Sequence, residues 1–225
     1  MMSFDFFRYK SIVFDCDGVL LDSNRIKTDA FYNATLPYGE KAAAAMVDYH
    51  VRNGGISRYR KFAYFLEHLA PAGVPGPDLE ALLAAYATEV KTGLLACEVA
   101  EGLEAFREHT GGTRWMVASG GDQAELRQLF EARGLMGWFD GGIFGSPDAK
   151  EEIVRRELAN GNIRMPALFI GDSRYDHQVA QANGLDFVFL SRWSEFERWE
   201  DYFAAHDITI KSTMKDLFTQ EEGCN

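Results

Sequence analysis

The spacing of apolar positions changes twice along this chain. Ser11 to Phe14 is a short run rich in β-formers that predicts a buried strand, and two carboxylates follow it within three residues. From about Asn24 to Val99 the apolar residues recur at helical spacing, without a convincing strand. From Gly102 onward short apolar runs alternate with helical stretches, which indicates a parallel sheet with crossover helices. We therefore expect an α/β fold, a Rossmann-like parallel-sheet core with a helical domain inserted after the first strand.

The insert is predicted to form a domain of its own, residues 24–99, between core segments 1–23 and 100–225. Turn residues at Pro37, at Gly54-Gly55 and over the Pro/Gly-rich stretch 70–77 divide it into helical segments. Its periodicity predicts helices over Arg25–Leu36, Glu40–Arg52, Ser57–Leu69 and Asp78–Leu95.

The second part of the chain is predicted to supply the remaining strands. They are expected over Trp115–Ala118, Gly142–Phe144, Ala167–Ile170, Phe187–Leu190 and, as an edge strand, Ile208–Ile210. An aromatic-rich helix over Trp193–Phe203 should precede that edge strand.

Composition limits the partners of this protein. Its 225 residues are 47% hydrophobic and 25% charged, which suffices for a full core in one large domain or two modest ones. A net charge of −11 without a cluster of Lys and Arg argues against a nucleic-acid surface. The chain has three cysteines, an odd number, and they are widely spaced: Cys16, Cys97 and Cys224. This spacing predicts neither a disulfide framework nor a metal-binding CxxC pair. Without a signal-peptide core or an apolar membrane span, we expect a cytoplasmic protein without membrane contact, either a monomer or a dimer.

Asp15 and Asp17 carry the strongest chemical signal. Two carboxylates at the end of a buried strand cost free energy unless a cation or hydrogen-bond donors compensate them. Residues i and i+2 of an extended segment point the same way, so both carboxylates can face one site. An incidental acidic turn is the plain alternative. A calcium loop fails, because Val13 and Asn24 would occupy its first and last ligand positions.

Two further polar positions follow predicted strands. Ser119 precedes Gly120 and Gly121, where backbone N–H groups and a helix N-terminus can hold an anion. An ordinary helix-capping serine explains Ser119 equally well. Lys150, taken alone, is better explained as a solvated lysine in the first turn of a helix.

Asp172 and Asp176 lie four residues apart at the start of a predicted helix, so their charges repel unless a metal relieves them. A capping Asp followed by a surface Asp is an equally good explanation of the pair in isolation. All these positions, however, follow strands of one parallel sheet, and such positions share one edge of the sheet. The meeting of several polar groups at one edge is stronger evidence than any single group.

Joined, these residues describe phosphoryl-transfer chemistry. Oxygen ligands suited to Mg²⁺ come from three acids, Asp15, Asp17 and Asp172. Ser119 and Lys150 supply hydrogen bonds and positive charge for phosphate oxygens.

Four segments resemble, in order, the four motifs of the haloacid dehalogenase (HAD) superfamily. They are the stretch from Asp15 to Ser23, the strand ending in Ser119, the single Lys150 and the block Gly171-Asp172-Ser173-x-x-Asp176. The first and last motifs are specific, and the resemblance covers about Ile12 to Gly184. The helical insert is similar to the C1 cap of the phosphoglycolate phosphatase and β-phosphoglucomutase branch.

The resemblance implies a role for each acid. Asp15 would be the nucleophile and Asp17 the general acid/base, with the Asp17 backbone carbonyl completing the Mg²⁺ site. Asp172 would bind the metal directly, and Asp176 would support it. An Asp at position 17 implies phosphate chemistry and separates the chain from the dehalogenase and phosphonatase branches. The implied activity is Mg²⁺-dependent hydrolysis of a small phosphomonoester through an aspartyl-phosphate.

In this family the cap would recognise the leaving group of the substrate. The segment Arg52–Arg58 is similar to the cap loop that contacts substrate in the mutase branch, so Arg52 and Arg58 would meet a hydroxylated or anionic group. The alternative is that Gly54-Gly55 only turns the chain, Ser57 caps a helix and both arginines are solvated. Our hypothesis is a small phosphosugar or phosphorylated sugar acid, reached by opening and closing of the cap.

Other functions are weighed against this one. A phosphosugar mutase uses the same core, but β-phosphoglucomutases usually have a His twelve residues beyond the nucleophile, where this chain has Lys27, and this departure favours a phosphatase. A non-catalytic binding protein of this fold is disfavoured because every motif residue is intact. An esterase of the GDS type with Ser173 as nucleophile is disfavoured as well, since Asp201 and His206 have the wrong spacing.

Overall fold

Within residues 6–218, which the computed structural model describes, six parallel strands form the centre of the fold. Residues 1–5 and 219–225, and with them Cys224, lie outside the described residues. The strands are β1 (Ser11–Phe14), β2 (Arg114–Asp122), β3 (Ile143–Ser146), β4 (Ala167–Gly171), β5 (Asp186–Leu190) and β6 (Thr209–Lys211). Their order in the sheet is β3-β2-β1-β4-β5-β6. The first strand is therefore central, paired with β2 on one side and β4 on the other.

Between β1 and β2 the chain forms a helical domain. Its helices are α1 (Asn24–Thr35), α2 (Glu40–Arg52), α3 (Arg58–Tyr64) and α4 (Leu79–Ala96). The helix predicted over Ser57–Leu69 ends as an α-helix at Tyr64 and continues as a wider π-helical turn, Phe65–Leu69. Asp78 caps the N-terminus of α4, because its side chain accepts a hydrogen bond from the Ala81 N–H at 2.9 Å.

The apolar faces of the four helices meet in a core that is separate from the two apolar layers against the sheet. Phe31 of α1 packs on Phe62 of α3 and Tyr86 of α4, with ring centroids 5.0 and 4.5 Å away. These contacts follow from the helical spacing of the apolar residues, since each helix directs one face inward. We call this domain the cap.

The remaining helices cover the sheet. They are α5 (Leu103–His109), α6 (Gln123–Ala132), α7 (Lys150–Ala159), α8 (Arg174–Ala182) and α9 (Trp199–Phe203). Alternation along β1 explains why both faces are covered, because Ile12 and Phe14 join one apolar layer while Val13 joins the other. The predicted α/β fold class with an inserted helical domain is confirmed.

Two predictions about local structure are wrong. The second strand, predicted to end at Ala118, continues to Asp122 with a shift of register against β3, so Ser119 lies within the strand and does not follow it. The aromatic-rich segment is helical only over α9 and not over Trp193–Phe203. Hydrogen bonds from Asn24 to the Trp193 carbonyl and from Ser194 to the Asp172 carbonyl hold this segment in a non-helical path.

No helix among residues 6–218 has both the length and the apolar character needed to cross a bilayer.

Candidate active site

Asp15 lies at the end of the central strand and is almost completely buried. Its backbone N–H donates to the Ile170 carbonyl of β4 at 2.9 Å, which continues the sheet pairing and fixes the backbone. One carboxylate oxygen, Oδ1, accepts from the Cys16 N–H at 2.6 Å. Burial raises the Asp15 pKa to about 7, although the neighbouring Lys150 acts in the opposite direction.

Lys150 joins two of the predicted acids. Its Nζ lies 2.8 Å from Asp15 Oδ2 and 2.5 Å from Asp176 Oδ1, and the side chain is fully buried at the start of α7. Burial alone would lower the Lys150 pKa, but the two carboxylates raise it above its usual value. The interpretation of Lys150 as a solvated lysine is therefore wrong.

Asp172 completes a group of three buried acids. Oxygens of Asp15, Asp172 and Asp176 lie within 4.8 Å of one another. Burial and then the charges of the other two acids raise the Asp172 pKa well above its usual value. Its carboxylate accepts a hydrogen bond from Asn24 Nδ2 at 2.7 Å. Three carboxylates around the single ammonium of Lys150 leave a surplus of negative charge, and hard oxygen donors with such a surplus fit a divalent cation such as Mg²⁺.

Gly18 is required beside this group. It has a φ of 73°, and a Cβ atom added there would lie 2.1 Å from Asp172 Oδ2. Both the backbone conformation and the close approach therefore exclude a side chain. Asn24 also donates to the Trp193 carbonyl at 2.8 Å, and Ser194 Oγ donates to the Asp172 carbonyl at 2.5 Å. These bonds anchor the segment that was predicted to be helical.

The Asp17 carboxylate lies apart from the three acids. It accepts a hydrogen bond from Ser23 Oγ at 2.6 Å and forms an ion pair with Lys27 of α1. Burial would raise the Asp17 pKa, but Lys27 and these hydrogen bonds outweigh it and hold the pKa below its usual value. Asp15 and Asp17 line the same cavity, as predicted, yet their side chains meet different partners in it. A metal contact through the Asp17 backbone carbonyl stays a prediction.

Ser119 is fully buried at the same sheet edge, and its Oγ accepts from the Gly121 N–H at 3.0 Å. The neighbouring Gly120 faces the cap, because a Cβ atom there would lie 2.3 Å from the Gly55 carbonyl oxygen. Only a glycine permits this approach of two backbones. A Cβ atom on Gly55 would in turn lie 3.4 Å from Lys150 Nζ. The Gly54-Gly55 turn thus lies directly over the buried acids, so it does more than reverse the chain.

A cavity of about 260 Å³ lies between the core acids and the cap. Arg52 and Arg58 both line it, but they differ in exposure. Arg58 is buried and its Nη2 lies 2.7 Å from Glu125 Oε1 of the core, so its interpretation as a solvated residue is wrong. Arg52 is exposed to solvent.

The family model described as "Hydrolase: haloacid dehalogenase-like hydrolase" matches residues 9–184. The chain belongs to this family. Among solved structures, this HAD hydrolase is similar in fold to a predicted phosphatase from Clostridium acetobutylicum. The two proteins are 21% identical, with a TM-score of 0.67, and the match covers 91% of this chain and 94% of the other. It is also similar to CbbY of Rhodobacter sphaeroides in complex with phosphate, at 20% identity, a TM-score of 0.70 and coverage of 93% and 96%. No curated protein has a significantly similar sequence.

Sequence reasoning missed several residues of this HAD hydrolase that line the cavity. They are Asn24, His50, Lys61, Tyr86 and Glu195. The sequence pattern could have identified His50, because it lies four residues after Met46 and so continues the buried face of α2. The family and fold predicted from the motifs are confirmed.

Proposed function

We propose that this HAD hydrolase is a Mg²⁺-dependent phosphatase that hydrolyses a small phosphomonoester through an aspartyl-phosphate on Asp15. The observation that carries the proposal is the buried Asp15 carboxylate, which lies 2.8 Å from Lys150 Nζ and lines a cavity that Asp17 also lines. A nucleophile, a second carboxylate for proton transfer and a cation for phosphate oxygens thus meet around one small space.

In the first step a carboxylate oxygen of Asp15 attacks phosphorus, an O–P bond forms, and the bond from phosphorus to the ester oxygen breaks. Asp17 gives its proton to the departing ester oxygen. An anionic phosphate beside Asp17 raises the pKa of this carboxyl and so favours the protonated form that this step needs. Lys150 offsets charge on the phosphate oxygens, with donors from the Ser119–Gly120 backbone.

In the second step water attacks the aspartyl-phosphate. Asp17, now ionised, takes a proton from the water, the new O–P bond forms, and the bond from phosphorus to Asp15 breaks. Ser23 and Lys27 hold the Asp17 carboxylate and favour the ionised state that this step requires. One side chain therefore serves both proton transfers.

Asp15, Asp172 and the Asp17 carbonyl would hold Mg²⁺, with Asp176 in support. When bound, the ion supplies positive charge that lets an anionic carboxylate approach an anionic phosphate. The surplus of carboxylates over ammonium groups at this sheet edge supports the assignment.

The substrate is a small phosphosugar or phosphorylated sugar acid. The cavity volume of about 260 Å³ and the Gly54-Gly55 turn over the acids favour a small molecule. CbbY, similar in fold, has been crystallised with phosphate and with xylulose-1,5-bisphosphate. Arg58, with Arg52 at the solvent side, would contact the part of the substrate that leaves.

The test is release of phosphate from a generic aryl phosphate and from a panel of phosphosugars, nucleotides and phosphorylated acids. We expect release that requires Mg²⁺, stops in EDTA and is inhibited by fluoride. Isomerised phosphosugar without free phosphate would instead identify a mutase. Tight binding of a phosphorylated metabolite without any turnover would identify a non-catalytic binding protein.

A further inference from the structure

The cap side of the cavity contains a buried ammonium group that forms no ion pair in the part of the chain that the structure describes. Lys61 of α3 lines the cavity, its side chain is 1% exposed, and within residues 6–218 no carboxylate forms an ion pair with it. The other buried cations around the cavity each have such a partner: Lys27 has Asp17, Arg58 has Glu125, and Lys150 has Asp15. A buried charge without a counter-charge destabilises the folded protein, so Lys61 is expected to have a role that offsets this cost.

His50 holds this ammonium in place. Lys61 Nζ lies 2.6 Å from His50 Nδ1 and 3.4 Å from the His50 carbonyl oxygen. Because an ammonium can only donate, Nδ1 accepts and the imidazole is neutral, with its proton on Nε2. Burial, Lys61 and Lys27 all lower the His50 pKa and favour this neutral form. His50 therefore orients Lys61 without compensating its charge.

Arg58 supplies a second donor without a partner on the same helix. Its Nε is buried and has no hydrogen-bond acceptor among the described residues, although its Nη2 bonds to Glu125. Arg58 and Lys61 are three residues apart on α3, so their side chains lie on one face, and both line the cavity. A buried N–H group without an acceptor and a buried ammonium without a counter-charge thus belong to two cap residues that line the same cavity as Asp15.

We propose that Lys61, positioned by His50 and joined by Arg58 Nε, binds a carboxylate of the substrate. The substrate class is then a small phosphomonoester that also carries a carboxylate, such as a phosphorylated hydroxy acid. The proposal rests on the proposed phosphatase function for the other end of the molecule. It adds a subsite and a defined recognition group on the cap.

The charges favour a carboxylate over a second phosphate. Glu195 Oε2 lies 3.9 Å from His50 Nε2, and Asp17 also lines the cavity, so acids already flank this side. One unpaired ammonium compensates a single negative charge, whereas a phosphate dianion would leave a net negative charge buried beside Glu195. A monoanionic group therefore matches the subsite.

The test compares two esters that differ in this group, 3-phosphoglycerate and glycerol 3-phosphate. We expect the wild-type enzyme to have the higher kcat/KM for 3-phosphoglycerate. Lys61→Met should lower the ratio of the two kcat/KM values by about tenfold to a hundredfold, mainly through KM of the acid, because a charge-assisted hydrogen bond is lost. Lys41→Met, the same change at an exposed cap lysine, should preserve the ratio. Equal losses on both esters, or no wild-type preference, would overturn the subsite.

Two variants of His50 test its role as a positioning residue. His50→Gln, which keeps a hydrogen-bond acceptor, should preserve more of the preference for the acid than His50→Leu. Equal preference in these two variants would argue against orientation of Lys61 by His50.

A binding experiment separates this inference from the phosphatase proposal. If the wild-type protein releases phosphate from no ester, including the aryl phosphate, the phosphatase function fails. Calorimetry of 3-phosphoglycerate binding to Asp15→Asn, with and without Lys61→Met, then tests the subsite alone. Binding at least tenfold weaker in the double variant supports the subsite, and equal binding refutes it.

Discussion

Lys27 of the cap and Asp17 of the core form an ion pair in which both side chains are largely buried. This pair joins α1 to the loop that follows the central strand, so the proposed acid/base is held by a residue of the cap. Separation of the cap from the core would remove the cation that favours the ionised form of Asp17. Cap position and proton transfer are therefore expected to be coupled.

Lys27→Met should lower the free energy of unfolding by about 2–4 kcal/mol, because it leaves the Asp17 carboxylate partly buried without its cation. The loss should be smaller when Asp17→Asn is already present, since the carboxylate that would be left without its cation is then absent. Urea unfolding of the two single variants and the double variant measures this coupling. Strictly additive losses would show that the ion pair contributes nothing.

Asp15→Asn should lower kcat by at least about a thousandfold, because an amide cannot form the aspartyl-phosphate. The fold should persist, since the amide oxygen can still accept from the Cys16 N–H. Steady-state kinetics and circular dichroism measure the two effects. Asp48→Asn, the same change at an exposed cap position, is the control. Substantial turnover in a folded Asp15→Asn protein would exclude Asp15 as the nucleophile.

Asp172→Ala should raise the Mg²⁺ concentration required for half-maximal activity sharply, and Ca²⁺ should inhibit the wild-type enzyme because its longer, looser coordination misplaces the phosphate. A readout without turnover is the increase of Tm on addition of Mg²⁺, which should shrink in the variant. In EDTA the variant should be at least as stable as wild type, because repulsion with Asp15 and Asp176 is relieved. Identical Mg²⁺ stabilisation of both proteins would remove Asp172 from the metal site.

Arg58→Ala should lower kcat/KM for the true substrate by roughly tenfold or more and affect a small aryl phosphate less, since the aryl ester lacks the group that Arg58 would bind. Arg52→Ala should have a smaller effect, because Arg52 is exposed. Glu125→Gln tests whether the ion pair at 2.7 Å merely positions Arg58. Losses of equal size on every substrate would assign Arg58 a structural role only.

Lys61 should make stability depend on pH. Burial, together with the charge of Lys27, lowers the Lys61 pKa to about 7, although Asp17 and Glu195 act in the opposite direction. The unfolded pKa is about 10.4, so between about pH 7 and pH 10.4 the unfolded chain binds more protons and stability rises with pH. Lys61→Met removes the buried charge and should raise the free energy of unfolding most at or below pH 7, by on the order of 1–3 kcal/mol.

Urea unfolding of wild type and Lys61→Met at pH 6, 8 and 10 measures this difference. The gain should shrink steadily as pH rises, because the wild-type ammonium loses its proton. A constant difference, or a destabilised variant at pH 6, would contradict an uncompensated charge at Lys61.

The motif acids and the fold could be predicted from the sequence because their signals are local. Asp15 and Asp172 each follow an apolar run of strand length, and a parallel sheet necessarily brings such strand ends to one edge. The helical spacing of residues 24–96 likewise identified an inserted helical domain without knowledge of its packing. The same local reasoning failed for Trp193–Phe203, where hydrogen bonds from Asn24 and to the Asp172 carbonyl, both distant in sequence, override the helical pattern.

Only the tertiary structure decided which partner each charged side chain has. Lys150 alone looked like a surface lysine, and its burial between Asp15 and Asp176 depends on two other strands of the sheet. The direction of Asp17 toward Lys27, and the contact of Lys61 with His50, depend on how cap helices pack on one another and on the core. Periodicity identifies the face on which a residue lies, but its ionisation and its role depend on charges that folding brings within a few ångströms.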